Sequence, residues 1–178
     1  MQLKKVSLIA PSSYQEALCE AFATQSAINQ QSYYAKKGEG SVSKLSEWAY
    51  VGKLAEFAVF NTLISFDKYK SVSPPDIMIY EKKRKSHAAD IVSDGKQIHV
   101  KSCLVKDGRE ISWLFSTEDK IVRKPIEDDI VALVVISLPK TFEAYFIPAL
   151  ELVGKYEKPF NPTTIAHAIY ESTLIELT

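Results

Sequence analysis

The stretch HAADIVSDGKQIHVKSC (residues 87–103) combines side chains that can bind a cation or move a proton with a strand-like pattern. Asp94 and Gly95 give a strong two-residue signal for a β-hairpin, because both turn positions need a positive φ. With these residues in the turn, Asp90 faces His99, and side chains alternate between the two faces. The polar face then holds Asp90, Gln97, His99 and Lys101. The pattern predicts a hairpin with an apolar back and a polar front.

A second candidate group is a glutamate in a helix predicted over residues 46–65. The apolar stripe of this helix consists of Trp48, Ala49, Gly52, Ala55, Val59 and Leu63. Glu56 falls in the stripe, and Gly52, one turn earlier, leaves room for something to approach. A buried carboxylate is costly unless it is paired, hydrogen-bonded or metal-bound. Glu56 is therefore a candidate functional group, and the alternative is a plain surface ion pair with Lys53.

The elements around these residues indicate the fold class. Helices are predicted over 12–35 and 46–65, and strands over 74–80, 87–92, 97–104, 111–116, 129–138 and 142–148. Asn161 and Pro162 are typical of a helix start, and the tail is expected to finish as a strand in TLIEL. The order predicts an α/β protein with a mixed central β-sheet flanked by helices, in a single domain spanning 1–178.

The amino-acid composition of the chain limits which classes of function and location are expected. Lys plus Arg and Asp plus Glu number 22 each, so the chain has no overall basic field, and contact with nucleic acid would need a local basic patch. Two cysteines are too few for a disulfide framework and indicate a reducing compartment. No stretch has the length and apolar character of a membrane span or a secretory signal. These features predict a cytoplasmic protein without a membrane partner.

In order and spacing, these candidate residues resemble the PD-(D/E)XK nuclease superfamily. That pattern places a Glu on a helix, an Asp on one hairpin strand and (E/Q)-x-K on the next. Here GKLAEF supplies Glu56, AADI supplies Asp90, and HVK supplies His99, Val100 and Lys101. The strand DIVALVVISL and the following EAYFIP are similar to the sheet that this superfamily places after its catalytic hairpin. The resemblance implies a restriction-endonuclease-like nuclease core over 46–148, with an N-terminal helical extension (1–45) and a C-terminal extension (149–178).

The resemblance also implies an activity and roles for the site residues. The protein is expected to be a Mg²⁺-dependent endonuclease that cuts double-stranded DNA at specific sites, of restriction or homing type, with Mn²⁺ as a possible substitute. Asp90, the Val100 carbonyl and Glu56 would hold the metal. Lys101 would orient or help deprotonate the attacking water and stabilise the transition state. The small size suggests a homodimer.

One residue departs from the superfamily pattern, and it leaves alternatives open. His99 stands where Glu or Gln is usual, which removes a hard ligand and favours a softer ion such as Mn²⁺, metal contact through water, or loss of activity. Gln97, on the same predicted face of the hairpin, is a weaker candidate for the Glu or Gln of the pattern. Asp76, which follows a proline in PPDIMIY, competes with Asp90 for the role of the acid. A Holliday-junction resolvase and an inactive nuclease-fold module that binds DNA or a partner are the rival functions.

A basic run follows the predicted strand at 74–80. It consists of Lys82, Lys83, Arg84 and Lys85. Such a run is either a solvated loop or, beside a nuclease hairpin, a contact for DNA phosphates. The second interpretation predicts DNA binding by these four residues.

Overall fold

The structure is a computed structural model that describes residues 4–35, 41–66, 71–79, 89–116, 119, 121, 124, 126–137, 140–152 and 166–176. The helices are α1 (Ser13–Ala35), α2 (Val42–Ile64), α3 (Ala149–Leu152) and α4 (Glu171–Glu176). The strands are β1 (Val6–Ser7), β2 (Ile91–Ser93), β3 (Lys96–Leu104), β4 (Ser112–Ser116), β5 (Ile130–Ser137), β6 (Thr141–Pro148) and β7 (Ala166–Tyr170). The predicted DNA-binding run Lys82, Lys83, Arg84 and Lys85 lies outside the described residues.

Five strands form a mixed central sheet in the order β1-β6-β5-β3-β2. β3 and β5 run parallel, and the other neighbouring strands run antiparallel. Helices α1 and α2 pack against each other, and α2 packs on the sheet. The predicted α/β class with a mixed central sheet flanked by helices is confirmed.

The hairpin has the predicted register. Ile91 pairs with Ile98, and Ser93 pairs with Lys96. The two turn residues have φ values of 47° at Asp94 and 81° at Gly95, which is the left-handed region that this turn requires. The sequence therefore predicted both the turn and the pairing of its strands correctly.

Apolar clusters cover both sides of the sheet. The cluster on the α2 side includes Ile98, Val100 and Leu104 of β3, together with buried residues of α2. The cluster on the far side includes Trp113 and Phe115 of β4 and Ile169 of β7, and Cys103 of β3 packs against it. Since side chains of a strand alternate between faces, His99 and Lys101 share the far side with Cys103. β3 thus directs Ile98, Val100 and Leu104 toward α2, and His99, Lys101 and Cys103 toward the cluster that contains Trp113 and Phe115.

The predicted strand over 74–80 is not formed within its described part, residues 74–79. Pairing with the hairpin occurs just before it, where Val72 forms an isolated bridge with Ser93. The Ser73 amide donates to the Val92 carbonyl at 2.8 Å. Pro74 and Pro75 have no backbone N–H to continue such a ladder, so the pairing ends before them.

The C-terminal segment has the reverse of the predicted order. A helix and then a strand were expected, but β7 comes first and α4 follows it. β7 pairs antiparallel with β4, with Trp113 opposite Ile169. Pairing between distant segments therefore outweighs the local helix signal, whose first residues, Asn161 and Pro162, lie outside the described part of the chain.

Helix α2 begins at Val42, four residues before the predicted start. Its buried residues are Leu45, Leu54, Ala55, Glu56, Phe57, Ala58, Val59, Thr62 and Leu63. Trp48, which was assigned to the buried stripe, is 52% exposed, whereas Glu56 is buried as predicted. In the described residues no helix is long and apolar enough to cross a membrane.

Candidate functional site

Glu56 lies in a buried ion pair at the contact between α1 and α2. The Lys53 Nζ atom is 2.5 Å from Glu56 Oε2, and the two side chains are only 12% and 10% exposed. The Lys53 ammonium also lies 4.9 Å from the centre of the Phe22 ring on α1. A cation over an aromatic face is stabilised most where water is excluded. The Lys53 pair considered from the sequence is therefore present, but it is a buried pair and not a surface one.

The electrostatics of Glu56 connect it to the hairpin. Burial is the main cause that raises the pKa of Glu56 to about 8, and the negative charge of Asp90 is the next largest. The Lys53 ion pair opposes this shift, and Asp76 adds a smaller contribution in the same direction as Asp90. The negative charge of Asp90 therefore acts on Glu56, which has Lys53 beside it. Strongly perturbed acids of this kind are concentrated at functional sites.

Asp90 stands at the end of β2, just beyond the last paired residue of the hairpin. Its Oδ2 atom accepts a hydrogen bond of 2.7 Å from the backbone amide of Val100. The pairing recorded for β2 ends at Ile91 opposite Ile98, so the side chain of Asp90 caps an amide of β3 beyond that point. The carboxylate is thereby fixed next to the backbone of Val100, the residue whose carbonyl the resemblance implies as a metal ligand.

Lys101 lies on the far side of the sheet. Its Nζ atom is 2.6 Å from Asp119 Oδ2 and 5.4 Å from the centre of the Phe115 ring. The alternation along β3 gives the reason, because Lys101 projects away from α2 and toward the cluster that contains Phe115.

His99 lies on the same far side and is buried. Its Nε2 atom is 3.4 Å from Asp129 Oδ2, and Asp129 is also buried. His99 and Lys101 thus share one side of β3 as predicted, but this side faces away from α2, so Glu56 does not lie close to them. The charge of Asp90 acts on Glu56, whereas His99 and Lys101 each lie near another acid on the far side of β3.

Three residues of these clusters were not assigned a functional role from the sequence. Lys53 had a local signal, since it precedes Glu56 by three residues on the same helix. Asp129 directly precedes β5, and a polar residue before a buried strand is no specific signal for a contact with His99. Asp119 had no signal, because its contact with Lys101 joins residues 18 positions apart through a connection without a recognisable motif.

The space expected beside Gly52 is present. A Cβ atom added to Gly52 would meet no atom within 4 Å among the described residues. Gly52 lies four residues before Glu56, and residues at this spacing are neighbours on one helix face. The structure therefore has open space one helical turn from the buried acid.

The two acids Glu56 and Asp90, called the acid pair below, have the chemistry of a small site for a hard divalent cation. Within the described ranges, no group of three or more His, Cys, Asp or Glu side chains could hold a metal ion. Mg²⁺, however, is usually bound through one or two carboxylates, and waters and substrate phosphates complete its shell. Glu56 and Asp90 are two carboxylates whose mutual repulsion a cation would relieve. Two carboxylates are enough protein ligands for an ion that keeps several waters, and too few for a site in which the protein supplies every ligand.

Comparisons of the chain with protein-family models, with curated proteins and with solved structures gave no match. The resemblance to the PD-(D/E)XK pattern therefore depends on the residues quoted above and on their positions in the fold.

Proposed function

We propose that this protein is a metal-dependent endonuclease that hydrolyses phosphodiester bonds in double-stranded DNA. The observation that carries the proposal is the pair of acids, Glu56 and Asp90, at the open end of the β2–β3 hairpin. One acid is buried and the other is fixed by the Val100 amide. This is the helix-plus-hairpin combination of acids that the superfamily pattern contains.

The residues of the chain have distinct tasks in this proposal. A bound Mg²⁺ would neutralise developing charge and lower the pKa of the attacking water. Asp90 offers Oδ1 while Oδ2 is held by the Val100 amide, so its orientation is set before the ion binds. Glu56 brings the second carboxylate from α2, and the Lys53 ammonium holds its Oε2 atom. Preorganised charges of this kind stabilise a transition state without reorganising during the reaction.

The sheet topology supports the same proposal. β3 is an inner strand, paired with β2 on one side and with β5 on the other. After the hairpin the chain returns as β5, parallel to β3, and then as β6, antiparallel to β5. This agrees with the sheet that the resemblance implies after the catalytic hairpin. Val100 belongs to this inner strand, so the amide that holds Asp90 is positioned more rigidly than one on a loop.

We further propose that the protein contacts DNA through a basic run, acts as a homodimer and is cytoplasmic. The run from Lys82 to Lys85 precedes the hairpin by a few residues and would contact DNA phosphates. A homodimer would place one site on each strand of the duplex. Both cysteines are free thiols, which agrees with a reducing, cytoplasmic environment. Neutralising the four basic residues should weaken binding to all DNA sequences alike and flatten its salt dependence.

The direct test is cleavage of a duplex DNA library by the wild-type protein with Mg²⁺ or Mn²⁺. Asp90→Asn and Glu56→Gln should each lower the cleavage rate by about a thousandfold or more, since each removes a charged ligand. Glu47→Gln is the matched control, because Glu47 is an exposed acid of the same helix, paired with Lys106. A wild-type protein that cuts no DNA with either metal, or acid variants that cut at the wild-type rate, would contradict the proposal.

A binding module without catalytic activity is the second candidate. It is favoured by the contacts of Lys101 and His99, which each approach an acid on the far side of the sheet. DNA binding that depends on the 82–85 run, with no cleavage in either metal, would identify this function. A four-way junction cut in preference to a linear duplex would instead indicate a resolvase.

A further inference from the structure

We propose that Lys53, on helix α2, is the catalytic lysine of this site and that it takes the role which the superfamily pattern gives to Lys101. The inference depends on the proposed nuclease function and names a different residue for the positive charge. The positive charge beside the phosphate then comes from a lysine on helix α2 and not from one on the hairpin. It also explains how a site without Lys101 could still stabilise a charged transition state.

The first observation is the position of the Lys53 ammonium. It lies 2.5 Å from Glu56 Oε2, and Glu56 in turn lies within electrostatic range of Asp90. The Phe22 ring at 4.9 Å limits the orientations of the side chain. Lys53 is therefore a preorganised cation beside the acid pair, held by contacts to two helices.

The second observation is the position of Lys101. Its ammonium is 2.6 Å from Asp119 and lies against the Phe115 ring, on the side of β3 that faces away from α2. To reach the acid pair, it would have to leave both contacts and cross the strand. Lys53 reaches Glu56 without any rearrangement.

The third observation is the open space at Gly52, the residue directly before Lys53. Gly52 and Glu56 are neighbours on one face of α2, so a DNA phosphate that enters this space would approach both Glu56 and the adjoining turn that carries Lys53. An ammonium beside the attacked phosphate would offset the charge that develops in the transition state.

Lys53 transfers no proton in the hydrolysis step. The water oxygen forms a bond to phosphorus, and the bond from phosphorus to the leaving sugar oxygen breaks with its electron pair. The attacking water releases one proton to solvent, and the leaving oxygen takes one proton from solvent water. Lys53 stays protonated throughout and acts only by its charge.

The experiment compares the same substitution at the two lysines of the full-length protein. Lys53→Gln removes the charge but keeps a donor for Glu56, and Lys101→Gln does the same for Asp119. Single-turnover DNA cleavage, Mn²⁺ binding by electron paramagnetic resonance and thermal unfolding are measured for each. Lys53→Gln should lower the cleavage rate by about a hundredfold or more while Mn²⁺ still binds, and Lys101→Gln should lose much less.

Arginine variants keep the test decisive if either glutamine variant fails to fold. Lys53→Arg preserves the charge and the ion pair but changes the reach and shape of the donor group, so its rate should lie between those of the wild type and Lys53→Gln. A folded Lys53→Gln that cuts at the wild-type rate would overturn the inference. So would a larger loss of rate at Lys101 than at Lys53 with the same substitution. A wild-type protein that binds Mn²⁺ and DNA but cuts nothing would instead show that the nuclease function itself is wrong.

Discussion

The two sides of strand β3 carry ionisable side chains in opposite arrangements. On the α2 side, Lys53 is bonded to Glu56, and after burial the charge of Asp90 is the largest cause of the raised pKa of Glu56. On the far side, Lys101 lies against Asp119, and His99 lies against Asp129. Glu56 is therefore influenced by a second acid as well as by Lys53, whereas the β3 residues Lys101 and His99 each have one acid partner in the described part of the chain.

This difference in charge balance separates a candidate site from structural contacts. A matched pair satisfies both of its members and leaves little to offer a ligand. On the α2 side, burial and then the negative charge of Asp90 raise the pKa of Glu56 to about 8, and ionising both acids would leave an excess of negative charge beside the single ammonium of Lys53. A divalent cation would relieve that excess. The α2 side is therefore expected to govern activity, and the far side is expected to govern stability.

The largest expected effect on stability comes from the buried pair on the far side. Asp129→Ala leaves the buried His99 ring without its carboxylate partner and should lower the free energy of unfolding by about 1–3 kcal/mol. Denaturant titration measures this loss, and Mn²⁺ binding at the acid pair should persist in the folded fraction. Asp128→Ala is the matched control, since this neighbouring acid forms an exposed pair with Lys96, and it should change the stability by less than about 1 kcal/mol. Equal effects of the two substitutions would show that burial does not distinguish these pairs.

Features set by local sequence were predicted correctly. The turn at Asp94 and Gly95 fixed the hairpin register, because a two-residue loop permits only one pairing of its strands. The nearly continuous apolar run at residues 129–138 indicated a strand buried on both faces, and β5 has that burial. The burial of Glu56 also followed from helical periodicity alone.

Features set by contacts between distant segments could not be predicted in this way. Alternation alone placed Asp90 on one face with Lys101, but Asp90 lies beyond the paired part of β2, and its side chain turns to the Val100 amide. The contact of Lys101 with Asp119 depends on the path of the chain between β3 and β5. The tail formed a strand because β4 was available to pair with it. No pattern within those segments encodes these three outcomes.

The pH dependence of stability tests the acid pair with an effect of intermediate size. The pKa of Glu56 is about 8 in the folded protein, above its ordinary value of 4.5, so in metal-free buffer the folded state holds a proton that the unfolded chain has lost. This contribution to stability is fully present below about pH 4.5 and is lost as the pH rises through about 8. The wild type should therefore lose stability relative to Glu56→Gln across this window, by at most about 1.4 kcal/mol per pH unit.

A second variant identifies the cause of that pH dependence. Asp90→Asn removes the neighbouring negative charge and should lower the upper end of this pH window, because Asp90 is the second largest cause, after burial, of the raised pKa of Glu56. Denaturant titrations at several pH values measure both effects against Glu56→Gln. If the wild type and Glu56→Gln lose stability in parallel, the pKa of Glu56 is not raised in the folded protein; if Asp90→Asn leaves the window unchanged, the charge of Asp90 does not act on Glu56.

The smallest expected effect concerns the open space beside the acid pair. Gly52→Ala should raise the free energy of unfolding by about 1 kcal/mol, because alanine favours the helix interior and the added Cβ would meet no atom of another described element within 4 Å. Gly52→Leu should fold equally well but fill the space, so DNA cleavage should slow while the far-side pairs are undisturbed. Lys44→Leu places the same side chain at an exposed position of α2 and should leave cleavage unchanged. A Gly52→Leu protein that cuts DNA at the wild-type rate would mean that the phosphate approaches the acid pair by another path.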